Sequence, residues 1–121
     1  MAYPVQLPGK WVVMNAQFVD VSAAASVWIH PGFNGKLKKV FTCLHGAITS
    51  ADANVTVEIG GVAVTGAAIV IANSGSAAGV IDESTPTALN SFTSAQPLEI
   101  ITDGASSTTA ICSITVWLEP T

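Results

Sequence analysis

The side chains of this sequence that could do chemistry are few and widely spaced. Cys43 and His45 are two residues apart in a run with strand-like alternation, so both would project from one face of a strand. A thiol and an imidazole can bind a metal ion or act as nucleophile and base. Two ligands do not complete a metal site, and His30 adds no ligand spacing such as His-x-x-x-His. A buried thiol beside a partly exposed imidazole is the favoured interpretation, and we expect no metal site and no cofactor.

The eight carboxylates are scattered along the chain, and only Asp82 and Glu83 are adjacent. Neighbouring residues on a strand point to opposite faces, which disfavours a shared acid–base site. The glycine-rich stretches at 60–61 and 75–79 lack the lysine and the following helix of a phosphate-binding loop. Because no catalytic constellation is present, the sequence favours a protein that is not an enzyme.

The charge balance argues against nucleic acid as a partner. Charged residues make up 10% of the 121 residues and the net charge is −4, whereas an average domain has about 25% charged residues. There is no arginine, and three of the four lysines form one cluster, Lys36 to Lys39, which is typical of a solvated strand end. The low charge also raises the alternative that partner subunits cover part of the surface.

No targeting or membrane segment is predicted. The longest apolar runs fall short of the ~18 residues of a membrane helix, and the N-terminal residues lack the basic and apolar regions of a secretion signal. We therefore expect synthesis in a cytoplasm and no membrane partner. Cys43 and Cys112 lie in apolar strand-like runs and are expected to be reduced, although they could pair if their strands are adjacent.

Period-two alternation from Lys10 onward, with no amphipathic helical stripe, predicts an all-β chain. The clearest unit is a strand at 55–59 that ends in Gly60-Gly61, since two glycines accept the positive φ of a tight hairpin. A long strand at 36–46 is expected to place Leu37, Phe41 and Cys43 on one face and Val40, Thr42 and Leu44 on the other. The last strand, 108–119, is expected to bury Ala110, Cys112, Ile114, Val116 and Leu118.

About eight strands at spacings of roughly 8 to 12 residues are typical of an antiparallel two-sheet sandwich. We predict a jelly-roll-like sandwich as a single domain over residues 10–121, preceded by an N-terminal arm at 1–9.

Three segments carry a resemblance to a known group of proteins: PGFNGKLKKV at 31–40, VEIGGVAV at 57–64 and TDGASST at 102–108. With the strand and turn pattern of most of residues 28–119, they resemble the small capsid decoration (cement) or head-spike-base proteins of tailed bacteriophages. The resemblance implies a structural protein on the virion capsid surface that bridges subunits of the major capsid protein. It also implies a homo-oligomer, with a trimer favoured, and no catalytic residues.

The arm supplies most of the predicted partner-binding residues, because its prolines limit the entropy lost when it is ordered on a neighbour. These residues are Tyr3, Pro4, Val5, Leu7 and Trp11. A frayed terminus is the alternative. A different function also stays open, a glycan-binding module of a fibre or adhesin, since exposed tryptophans such as Trp11, Trp28 or Trp117 can stack on sugars, unless they are core or interface residues.

Overall fold

The computed structural model describes residues 10–121, which form ten strands and no helix. Residues 10–121 therefore contain no helix that is long and apolar enough to cross a bilayer. The strands are β1 (Val12–Phe18), β2 (Ala25–Ile29), β3 (Gly35–Leu44), β4 (Ala53–Ile59), β5 (Val62–Ala63), β6 (Ile69–Ile71), β7 (Ile81–Ser84), β8 (Ser91–Phe92), β9 (Leu98–Thr102) and β10 (Cys112–Pro120).

Residues 10–121 form two antiparallel five-stranded sheets. The first has the order β1-β10-β3-β7 with β8 also on β3, and the second has the order β2-β9-β4-β5 with β6 also on β4. The pairs are nested, because β1 meets β10, β2 meets β9, β3 meets β7 and β8, and β4 meets β5 and β6. A long hairpin folded over itself gives this order, which is the jelly roll. The predicted sandwich is confirmed, with two-residue strands β5 and β8 raising the count above eight.

The core lies between the two sheets and is filled from both inner faces. β10 contributes the fully buried side chains of Cys112, Ile114, Val116 and Leu118, and β4 and β9 supply the facing layer of valine, isoleucine and leucine. The facing predicted for the last strand is confirmed, although the strand begins at Cys112 and not at residue 108.

The predicted hairpin at Gly60-Gly61 is present. Ile59 pairs with Val62 and Glu58 with Ala63, which leaves the two glycines as the turn. Their φ angles are +60° and +79°, a conformation that costs a residue with a Cβ atom more than it costs glycine.

The prediction for the facing of Leu37 is wrong. Leu37 is fully buried on the core face, together with Val40 and Leu44. The register with β10 shifts between Trp117, which pairs with Lys39, and Leu118, which pairs with Leu37. Lys38 is therefore an extra residue in β3, and this β-bulge reverses the alternation upstream of it.

A charge at position 114 tests the central place of β10. Ile114 has no exposed surface, so Ile114→Asp would bury an unpaired carboxylate at a cost of several kcal/mol, on the order of the whole stability of a small domain. We expect loss of the folded circular dichroism signal at 25 °C. The matched control Val70→Asp, at a 59% exposed position, should melt within a few degrees of the wild type, and an unchanged melt for Ile114→Asp would contradict the placement.

Candidate protein-interaction face

The outer face of the first sheet carries an apolar surface that the described chain leaves open. Side chains that alternate with the core residues of β1, β3, β7 and β10 project here, since paired residues on neighbouring strands share a face. The register places Cys43 beside both Ser113 and Ile81, Phe41 beside Thr115, and Trp117 beside Val13. We call this surface the outer aromatic face; it consists of Trp11, Val13, Phe41, Cys43, Ile81, Ser113, Thr115 and Trp117.

Three aromatic rings form the centre of the outer aromatic face. The ring centroids of Trp117 and Phe41 are 4.9 Å apart, and those of Trp117 and Trp11 are 6.3 Å apart, with tilted planes in both pairs. The indole N–H of Trp11 donates to the Glu119 carboxylate at 3.2 Å. Rings held in this way lose little side-chain entropy when a partner covers them, which is a property of interface anchors.

A shallow concavity of about 280 Å³ opens next to the rings. Ile81 forms one wall and is 64% exposed, while Cys43 and Phe41 are half-buried. Partly open apolar side chains that surround a concavity favour contact with apolar groups over polar ones.

The rim of the outer aromatic face carries paired charges. The Lys39 ammonium lies 3.2 Å from the Glu83 carboxylate, and that of Lys38 lies 4.0 Å from Glu119. The Lys38 nitrogen also lies 5.5 Å from the centroid of the Trp11 ring. Because these pairs are partly exposed, each contributes little to stability, and their main effect is to offset the charge of the lysine cluster.

Of the five predicted partner-binding residues, the structure places only Trp11, which lies half-buried in the outer aromatic face. Tyr3, Pro4, Val5 and Leu7 lie outside the described residues. The remaining members of the face were not predicted as partner-binding residues. The sequence shows that these side chains alternate with core residues. It does not show that Phe41, Ile81 and Trp117 lie together, because these residues are up to 76 positions apart and meet only when their strands pair.

The structure brings His45 to Ser113, with the imidazole Nε2 and the hydroxyl Oγ 2.7 Å apart. A serine–histidine contact resembles part of a hydrolytic site, but such a site needs a third group that orients the imidazole and donors for an oxyanion. Within residues 10–121 the imidazole has no second side-chain hydrogen bond, and no group of three metal-binding side chains is found. This hydrogen bond links the residue that follows β3 to β10.

Cys43 and Cys112 lie on adjacent strands but on opposite faces. Cys112 pairs with Leu44 and Cys43 with Ser113, so the neighbouring thiols diverge, and both cysteines are free. Burial raises the pKa of Cys112 to about 11. The disulfide that the sequence left open is therefore absent.

Two carboxylates brace loops at one end of the sandwich. Ser22 donates to Asp20 from its hydroxyl at 2.6 Å and from its backbone at 2.9 Å, and these bonds lower the pKa of Asp20. Burial opposes ionisation of Asp103, but hydrogen bonds from Asn54 and Ala105 outweigh it and lower that pKa as well. Folding favours both ionised forms, so their contribution to stability is present above the unfolded-state pKa values and is lost as the pH falls through the folded-state values.

A separate exposed aromatic lies on the outer face of the second sheet. Trp28 is 59% exposed and pairs with Glu99, which in turn lies opposite Glu58. The Ser26 hydroxyl donates to the Glu99 carboxylate at 2.6 Å. Trp28 is thus the only one of the three tryptophans that is mainly exposed.

The sequence matches no protein-family model and no curated protein. The fold defines a class, a small antiparallel β-sandwich with jelly-roll strand order, and the outer aromatic face is an open apolar surface on its first sheet. No catalytic arrangement is assembled within residues 10–121.

The two thiols provide a direct check of the faces. In native protein at pH 8 we expect an aromatic disulfide reagent to modify Cys43 alone, because Cys112 is buried and its pKa of about 11 leaves little thiolate. Both thiols should react in denaturant. Cys43→Ala should abolish native labelling and Cys112→Ala should preserve it; native labelling of Cys112 would show that β10 faces the other way.

Proposed function

We propose that this chain is a structural virion protein that binds the outer surface of an assembled phage capsid and stabilises it by bridging subunits of the major capsid protein. The observation that carries the proposal is the outer aromatic face, an open apolar surface with pre-positioned rings. The resemblance of the segments at 31–40, 57–64 and 102–108 supplies the identity of the partner. On this proposal the protein is made in the host cytoplasm and resides on the virion surface.

The physical basis of such stabilisation is linkage. A protein that binds the closed shell but not its free subunits shifts the equilibrium toward the shell. The rings of Phe41 and Trp117 and the wall formed by Ile81 provide the apolar area for that contact. Because the rim charges of Lys39 and Glu83 are already paired, the attraction depends mainly on apolar burial and should vary little with salt.

Binding to undecorated heads tests the proposal. Purified protein should co-sediment with heads, and Ile81→Asp should weaken binding at least tenfold, about 1.4 kcal/mol, because it places a charge in the concavity next to Glu83. Val70→Asp is the matched control, since Val70 is a similarly exposed aliphatic residue on the other sheet. Absence of co-sedimentation for the wild type, or equal binding by the two variants, would refute the proposal.

A glycan-binding module of a fibre or adhesin is the second candidate, and Trp28 favours it. An exposed indole beside the Glu99 and Glu58 carboxylates offers a stacking surface next to hydrogen-bond acceptors, as sugars require.

A glycan array separates the two functions. On the glycan hypothesis, the wild type binds defined sugars and Trp28→Ala loses at least tenfold in affinity while its circular dichroism spectrum is retained. Val70→Ala, which changes an exposed residue on the same face, should bind as the wild type does. No binding on the array counts against the second candidate.

A further inference from the structure

The strand edges of this sandwich are protected unequally. On one side the edge strands are short or charged: β5 and β8 have two residues, β6 has three, and β7 contains Asp82 and Glu83. Short length and charge are the usual means by which proteins prevent the open edge of a sheet from pairing with another chain. The β5–β8 side is therefore built to stay unpaired.

The opposite side lacks this protection. β1 runs for seven residues, VVMNAQF, with no charge and no proline, and its register with β10 is unbroken from Val12 to Phe18. No described strand pairs with its other edge. β2, the adjoining edge of the second sheet, is uncharged as well. An extended and regular edge of this kind is a template for one more strand.

We propose that β1 pairs with β1 of a second copy of this chain, antiparallel and about a two-fold axis at Asn15, so that the first sheets of both copies form one continuous sheet. The composition of the edge fits a second copy as the occupant. The chain has a net charge of −4, which opposes self-association where carboxylates meet, and β1 contributes no carboxylate to a contact between two copies.

The strand is self-complementary in this register. Asn15 is the central residue, so all seven residues find a partner, with Val12 opposite Phe18 and Met14 opposite Ala16 of the other copy. Each of these pairs combines a larger with a smaller side chain on the core side of the sheet. The Asn15 side-chain oxygen Oδ1 accepts a hydrogen bond from the Thr115 hydroxyl at 2.9 Å. The side-chain Nδ2–H groups of Asn15 therefore remain available to donate to the opposing Asn15.

The inference is independent of the proposed function, since it concerns the purified chain alone and holds whether or not a capsid is the partner. It also differs from the trimer that the family resemblance favours, because antiparallel self-pairing of one strand closes after two copies.

Cross-linking tests the register. In a Cys43→Ser background, Asn15→Cys should form an intermolecular disulfide under mild oxidation, since directly opposite Cβ atoms are about 5 Å apart. The matched variant Gln17→Cys lies on the same exposed edge, but its two copies would be about 13 Å apart and should not cross-link. Equal cross-linking of both variants, or none for Asn15→Cys, would overturn the proposal.

Mass in solution tests the association without a cross-link. By light scattering at tens of micromolar we expect the wild type at twice the 12.3 kDa of one chain. Asn15→Lys places two ammonium groups opposite each other and should raise the dimer dissociation constant at least tenfold, with an unchanged circular dichroism spectrum. Thr56→Lys, on an exposed position of β4 away from the edge, should remain dimeric. A monomeric or trimeric wild type, or equal masses for the two variants, would overturn the proposal.

Discussion

The alternation of side chains along β10 is the constraint on which both the core and the surface of this protein depend. β10 lies between β1 and β3, and its inward residues, including Ile114 and Val116, are fully buried. Its outward residues, including Thr115 and Trp117, form the middle of the outer aromatic face. A slip of one residue would exchange the two sets. The apolar core therefore fixes the position of the outer tryptophan as firmly as it fixes the fold.

The bulge at Lys38 adjusts this pattern at one end. An unbulged strand would carry Leu37 to the outer face, away from the core. With the extra residue Leu37 remains buried, while Lys38 and Lys39 both lie beside Trp117. Lys38 then reaches the Trp11 ring and Glu119, and Lys39 reaches Glu83. One inserted residue thus supplies both the core packing of this end and the paired charges at the rim.

The parts of the fold that could be predicted from sequence are those encoded locally. Alternation identified β4 and β10, and Gly60-Gly61 identified the hairpin, because each signal lies within a few residues. The bulge escaped prediction, since an extra residue is defined only against the partner strand, which is about 80 positions away. The outer aromatic face escaped for the same reason. Its rings come from parts of the chain that meet only after the long hairpin has folded over. Trp11 was predicted to bind a partner and Trp117 was considered as a sugar-stacking residue, but their shared location with Phe41 was not predicted.

The jelly-roll order places the open edge and the outer aromatic face side by side. Among residues 10–121, nesting leaves β1 with β10 as its only strand partner, so β1 is an edge strand of the described sheet. The topology does not require β1 to be uncharged, since the edge strands on the other side of the sandwich are short or acidic. Val13 and the adjacent Trp11 connect this edge to the face. A two-fold axis at Asn15 runs perpendicular to the sheet, so pairing would turn both outer aromatic faces toward the same side. Two linked faces bind a repeating surface with higher effective affinity than either alone, which is the property that a protein bridging identical subunits requires.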